Sequence, residues 1–270
     1  TFSFQGKDIH YEVYGSGKTI LLLNGILMST LSWAEYIEPL SSGNRLILMD
    51  MLDQGQSAKM SGPYKQDIQA DVVNALCEHL AVESLCVAGY SYGGKVALQF
   101  ALKYPKRVER LVLFNSMAWT SPWIADIGES WNQAAKLDGK AFYLSTMPII
   151  YSPHFYEVEN KWLTDRQSWV LPVFDNPVFR AAITRLTDSG LGFDVRDRLS
   201  EITAPTLVVS GELDSLVPIA EQTLMASKIS NSQHVILAGS GHGTMYEASL
   251  AFASLLYGFV NIPKVAYSHK

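Results

Sequence analysis

The chain is poor in the features that define several broad protein classes. Of its 270 residues only two are cysteine, Cys77 and Cys86. Two cysteines supply neither a disulfide framework nor the clustered spacing of a zinc site, so no metal is expected. Cys77 falls in a helical stretch and Cys86 in an apolar run, and both read as small core residues. Charged residues make up 17% of the sequence, and the formal net charge is −5. That modest negative balance argues against a nucleic-acid surface and against an anchor to anionic membranes. The longest basic run, Lys103-Tyr104-Pro105-Lys106-Arg107, closes a predicted helix. No apolar run reaches the ~20 residues of a spanning helix, and the longest candidate, residues 248–260, carries serines and a glycine. Residues 1–6 have no basic and no apolar region of the kind a secretion signal needs. Internal repeats and low-complexity tracts are also missing. The expectation is a soluble, cytoplasmic protein with no nucleic-acid and no membrane partner, either monomeric or dimeric.

What is present is a well-filled α/β pattern. Hydrophobic residues make up 48% of the chain, enough for one large domain or a domain with an insertion. Residues 2–5 and 9–14 read as a hairpin about Gly6-Lys7. Residues 19–23, 45–49, 85–88, 111–114, 206–210 and 234–237 read as strands. Helices are expected over 33–40, 67–80, 95–104, 218–226 and 244–259. Strands alternating with helices imply a mostly parallel sheet covered on both faces. Residues 117–193 break this rhythm. They hold five of the six tryptophans, and Pro122, Pro148, Pro153, Pro172 and Pro177 punctuate what reads as several short helices. The predicted organisation is a core of residues 1–116 and 194–270 with a helical cap of residues 117–193. The tail from residue 261 to 270 looks polar and loose.

Gly89-Tyr90-Ser91-Tyr92-Gly93-Gly94 follows a predicted strand and precedes a predicted helix. Strand, Gly-x-Ser-x-Gly, then helix is the setting of a nucleophile elbow, in which small residues flank a serine at a sharp turn. A serine hydroxyl needs a base to become a nucleophile at neutral pH, and imidazole can both accept and return the proton. Among six histidines, His242 stands out in Gly239-Ser240-Gly241-His242-Gly243-Thr244, between a predicted strand and the last helix. His10, His79 and His234 read as surface positions and His269 as tail, while His154 reads as either a cap residue facing a pocket or a solvent turn. A carboxylate must then hold the imidazole. Asp214 follows the strand at 206–210, at the end where ligand loops of parallel sheets lie. Glu212 competes from two residues away, and Asp50 and Asp53 end a strand that precedes the serine.

The order Ser…Asp…His resembles the α/β-hydrolase superfamily with a helical cap over roughly residues 9–260. Asp50-Met51-Leu52-Asp53-Gln54-Gly55-Gln56-Ser57 resembles that family's D-x-x-G-x-G-x-S loop, with Asp53 where the first glycine is usual. Residues 204–214 resemble its acid-bearing strand. The resemblance implies an eight-stranded, mostly parallel sheet with helices on both faces and no cofactor. It assigns Ser91 as nucleophile, His242 as base and Asp214 as orienting acid. The N–H of Tyr92 and of Ile26 would form the oxyanion hole, with Leu27 as the other candidate in that loop. The family commonly has His-Gly where this chain has Asn24-Gly25, which leaves the loop geometry open. Leu27, Met117, Trp119, Trp123, Met147, Ile149, Ile150 and Val217 are candidates for an apolar pocket wall, whereas Lys95 reads as a solvated or sheet-edge lysine.

The activity implied is hydrolysis of a small, largely apolar carboxylic ester, lactone or thioester through an acyl-enzyme. Serine in place of aspartate disfavours epoxide opening and dehalogenation. Carbon–carbon and amide hydrolysis use the same three side chains and stay open. So does a small-ligand receptor of the same scaffold, in which turnover is slow.

Overall fold

The computed structural model describes residues 1–263. The strands are β1 (Phe2–Phe4), β2 (Lys7–Ile9), β3 (Tyr11–Tyr14), β4 (Lys18–Leu23), β5 (Asn44–Met49), β6 (Leu85–Tyr90), β7 (Val108–Phe114), β8 (Thr206–Gly211) and β9 (Ser232–Leu237). The helices are α1 (Ala34–Ser41), α2 (Ile68–His79), α3 (Tyr92–Lys103), α4 (Pro122–Leu137), α5 (Gly139–Ile150), α6 (Pro153–Val158), α7 (Asn160–Asp175), α8 (Pro177–Ser189), α9 (Ile219–Lys228), α10 (Thr244–Glu247) and α11 (Ser249–Asn261). Most of the tail expected to be loose lies outside the described residues.

The main sheet runs β3-β5-β4-β6-β7-β8-β9. Only the β3–β5 pair is antiparallel; the other pairs are parallel. This sheet has seven strands, not the eight expected. The expected hairpin breaks after Ile9: β1 and β2 pair apart from the sheet, and β3 joins β5. The turn between β1 and β2 is Gln5-Gly6, both with positive φ (49° and 74°), as a two-residue hairpin loop that follows the strand twist requires.

Each central strand sends alternate side chains to opposite faces. Leu21, Leu23, Val87, Leu111 and Leu113 pack in one core with residues of α2, α3 and α9. Ile20, Leu22, Cys86, Ala88, Val112 and Phe114 pack in the other with Leu40 of α1 and Phe252, Leu256 and Phe259 of α11. Burial on both faces explains why these strands read as unbroken apolar runs. Both cysteines are buried free thiols, and desolvation pushes them up to about 11 for Cys77 and about 12 for Cys86.

Helices α4 to α8 form an insertion between β7 and β8. Pro122, Pro153 and Pro177 open helices at the position where a missing N–H is harmless. Pro148 and Pro172 differ from the expected punctuation, since both lie inside helices, α5 and α7. The closing helix is also split. Ala248 (φ −137°, ψ 46°) separates α10 from α11. The carboxylate of Glu247, just before the break, accepts from Gly241 N at 3.0 Å and from Ser152 N at 3.2 Å. That last turn is therefore tied to the loop holding His242 and to the start of α6, while α11 turns to lay its apolar stripe on the sheet.

Candidate active site

Ser91 sits between β6 and α3 with φ 51° and ψ −112°, a conformation that L-residues rarely adopt. Its neighbours explain how the turn closes. A side chain on Gly89 would press into the backbone of Gly93, and one on Gly93 into the backbone of Leu23. The turn is held by Ser91 N donating to Phe114 O (2.8 Å) and by the Ser116 hydroxyl donating to Ser91 O (2.9 Å). The glycine spacing is thus a packing requirement of this crossing.

The three side chains singled out from the sequence meet in one row. His242 Nε2 lies 2.9 Å from Ser91 Oγ, and its Nδ1 lies 2.8 Å from Asp214 Oδ2. All three are buried. The Asp214 carboxylate accepts from Leu216 N (3.0 Å) and Val217 N (2.8 Å) on one oxygen, and from Asn115 Nδ2 (2.9 Å) and Gln222 Nε2 (3.3 Å) on the other. Such a set of donors stabilises a buried charge. Glu212 instead faces outward and accepts from Gly239 N at 2.8 Å. The Tyr90 hydroxyl donates to the backbone carbonyl of His242, and its ring stands edge-on to the imidazole at 5.9 Å. Asn115 and Tyr90 were not found from the sequence; each lies at the C-terminal end of a central strand, at or just beyond its last residue.

Tyr92 is the first residue of α3, so its N–H has no intrahelical acceptor. Ile26 lies in the loop after β4, and both residues line the cavity beside Ser91. Asn24, where the resemblance implies histidine, lies in a buried network beneath that loop. Its side-chain amide donates to Met49 O (3.0 Å) and Asp50 Oδ1 (3.2 Å) and accepts from Trp33 Nε1 (2.7 Å). Gln54 Nε2 donates to Gly25 O at 2.9 Å. This buried network pins the loop from beneath without a histidine. Asp53 adopts φ 68°, the left-handed conformation that glycine favours, and its carboxylate binds Arg185 of α8, with Nε at 3.1 Å.

Two cavities meet at Ser91, and Ile26, Trp131 and Leu216 line both. The smaller, about 130 Å³, runs under α4 and α8 and includes Tyr92, Met117 and Lys95. The larger, about 230 Å³, runs under α5 and α7 and includes Leu27, Met147, Ile150, Arg166 and His242. Ile149 lines neither cavity; it packs half-buried against the core. Three other expected wall residues are also elsewhere. Trp123 is 53% exposed and donates to Ser215 O. Trp119 pairs with Asp194 and stacks beneath the Arg196 guanidinium. Val217 is buried and contributes its backbone N–H to Asp214. His154 is exposed.

Lys95 corrects the surface reading: it is only 6% exposed. Burial pulls its ammonium down to about 7. Arg166 lies between the rings of Trp162 and Tyr246 and donates to the Tyr246 hydroxyl at 2.9 Å. Among the described residues, no helix is long and apolar enough to cross a membrane.

Comparison with known proteins agrees with this architecture. A solved structure of MGS-M2, an alpha/beta hydrolase enzyme from a Medee basin deep-sea metagenome library, superposes with a TM-score of 0.97 at 41% identity, covering 99% of each chain. A RutD protein of Variovorax paradoxus, named for carbamate hydrolysis, is 32% identical over 92% of this chain and 94% of its own. The 2-hydroxy-6-oxononadienedioate/2-hydroxy-6-oxononatrienedioate hydrolase 1 of Pseudomonas putida is 28% identical over 94% of this chain and 92% of its own. The sequence model described as alpha/beta hydrolase fold matches residues 18–249, and the chain belongs to that family.

Proposed function

We propose that this hydrolase cleaves a small, largely apolar carboxylic ester, a lactone or thioester included, through an acyl-enzyme on Ser91. The observation that carries the reading is the row Asp214–His242–Ser91, with contacts of 2.8 and 2.9 Å, at the junction of two cavities. Ser91 Oγ attacks the ester carbonyl as its proton passes to His242 Nε2. Asp214 holds Nδ1–H and stabilises the imidazolium. The carbonyl oxygen becomes an oxyanion facing the N–H groups of Ile26 and Tyr92. Collapse breaks the ester bond, and His242 returns the proton to the departing alcohol. Water then repeats the sequence on the acyl-enzyme, releasing the acid and free Ser91. Residues 117–193 act as the cap that closes both cavities.

The test is turnover of a short aryl ester by wild type and by Ser91→Ala. We expect a loss on the order of 10³-fold or more in kcat with the fold intact. Equal turnover by the two proteins defeats the mechanism. Multiple turnovers by the wild type separate an enzyme from a receptor that acylates once. A second reading draws on the Pseudomonas putida relative's name: cleavage of a carbon–carbon bond beside a ketone by the same residues. A 2-hydroxy-6-oxo dienoate turned over much faster than any ester would select it.

A further inference from the structure

The smaller cavity ends in polar groups that the steps above do not use. Lys95 lies one helical turn after Ser91 on α3, so its side chain leaves the helix on the same face. Among the described residues its ammonium donates to the Thr120 hydroxyl at 3.0 Å, faces the Phe193 ring at 5.0 Å, and forms no ion pair. Buried lysines are ordinarily paired, because an isolated ammonium loses its hydration without recompense. Two further buried atoms of the same wall, Asn132 Oδ1 and Thr187 Oγ1, have no hydrogen-bond partner. Asn132 is itself 5% exposed. Native interiors leave few such atoms unmatched; of the two, the Thr187 hydroxyl can donate to an anionic ligand beside Lys95, whereas Asn132 Oδ1 only accepts.

The direction of the substrate follows from the chemistry. His242 must protonate the leaving alcohol, and it lines only the larger cavity. Of the two proposed oxyanion donors, Ile26 lines both cavities and Tyr92 only the smaller one. The alcohol therefore occupies the larger cavity and the acyl chain the smaller, running between apolar side chains toward Lys95. We infer that the smaller cavity is an acyl subsite in which Lys95 binds a terminal carboxylate, so that the preferred substrate is a half-ester of a dicarboxylic acid. This rests on the ester-hydrolase reading and specifies its substrate class. One helical turn of separation, ~6 Å along the axis, suits about two to four methylenes between the two carbonyl carbons. Thr187 supplies a hydroxyl donor to the carboxylate, the Thr120 hydroxyl already donating to Gly190 O at 2.7 Å. Two carboxylates lie in the same wall, Asp188, which accepts from Asn132 Nδ2 at 2.8 Å, and Glu129, and both are exposed.

The test compares mono-(4-nitrophenyl) glutarate with 4-nitrophenyl pentanoate, equal in length and different only at the terminus. The wild type should favour the glutarate, and Lys95→Met should lower the ratio of kcat/KM values about tenfold or more, chiefly through KM. Lys95→Gln, which keeps a donor without charge, should lower it as well. An unchanged ratio in Lys95→Met overturns the subsite, and a ratio retained only in Lys95→Gln overturns the charge assignment. A Lys95 dependence of 4-carboxyphenyl pentanoate in place of the glutarate would put the carboxylate on the alcohol side and overturn the acyl assignment. Calorimetric binding of monomethyl glutarate to Ser91→Ala, with and without Lys95→Met, reads the subsite without turnover. Tight binding lost with Lys95, together with a wild type that hydrolyses neither ester, would reject ester hydrolysis and keep the carboxylate site. No difference in binding would reject the site itself.

Discussion

At the scale of single residues, Asn115 shows how one side chain positions others. It lies immediately after β7 with φ 47°, a conformation that asparagine tolerates better than most residues. Its Nδ2 donates to Asp214 Oδ2, and its Oδ1 accepts from the Thr244 hydroxyl at 2.6 Å. It therefore joins the acid to the residues just beyond His242. Asn115→Ala removes a donor from a buried carboxylate and leaves the Thr244 hydroxyl without an acceptor. We expect about a tenfold fall in kcat with KM nearly unchanged, because the lost contact orients the base without touching substrate. Steady-state kinetics on a short aryl ester check this, and a change confined to KM would contradict it. The sequence announced Ser91 and His242 because close packing forced small residues around them. It was silent on Asn115, because hydrogen-bonding to a carboxylate 99 residues away imposes no local pattern. Lys95 was misread for a related reason. A single lysine in the helix looks solvated until the insertion that covers it is in place, although its spacing of four from Ser91 was visible.

At the scale of elements, the insertion is joined to the core by an ion pair. Arg185 of α8 binds Asp53, whose side chain is fully buried, in the loop after β5. This also accounts for an aspartate at a left-handed position that glycine would adopt more readily: the strain there is offset by Arg185 and by Met60 N, which donates to Asp53 Oδ1 at 3.0 Å. Arg185→Ala leaves that carboxylate buried and unpaired, and should cost about 3 kcal/mol in denaturant unfolding. Asp53→Ala in the same background should restore part of the loss, giving a coupling of ~1–3 kcal/mol. Additive effects would mean that the pair contributes nothing to holding α8 on the core. The central strands were legible because burial on both faces leaves only apolar residues. The helices of the insertion were legible only as a class. Pro148 and Pro172 were read as breaks, yet tertiary packing carries α5 and α7 through both. The walls of the two cavities follow from how those helices sit. That is why Met147 and Ile150 of α5 line the larger cavity while Ile149 of the same helix lines neither.

At the scale of the whole molecule, the buried lysine should set a pH dependence of global stability. The ammonium of Lys95 titrates at about 7 in the folded chain because burial disfavours its charge, whereas an unfolded lysine titrates near its ordinary value of ~10.4. Below pH 7 both states carry the proton, and the folded state bears the full penalty of the buried charge. Between pH 7 and about 10 the unfolded state binds more protons, so stability rises with pH across that window. Lys95→Met keeps the volume and removes the titration. It should therefore stabilise the protein most at pH 6 and least toward pH 9, the difference between variant and wild type shrinking by roughly 2–3 kcal/mol. The remaining titrations are common to both proteins and cancel in that difference. Denaturant unfolding at pH 6, 7, 8 and 9 measures it, and a constant difference across the series would show that Lys95 keeps an ordinary, hydrated charge. A protein that is less stable for carrying this lysine holds it for some purpose other than folding. Adding glutarate to the same series discriminates further. The dianion should raise the stability of the wild type by mass action and leave Lys95→Met unmoved, since only the former offers a cation at the end of the acyl cavity.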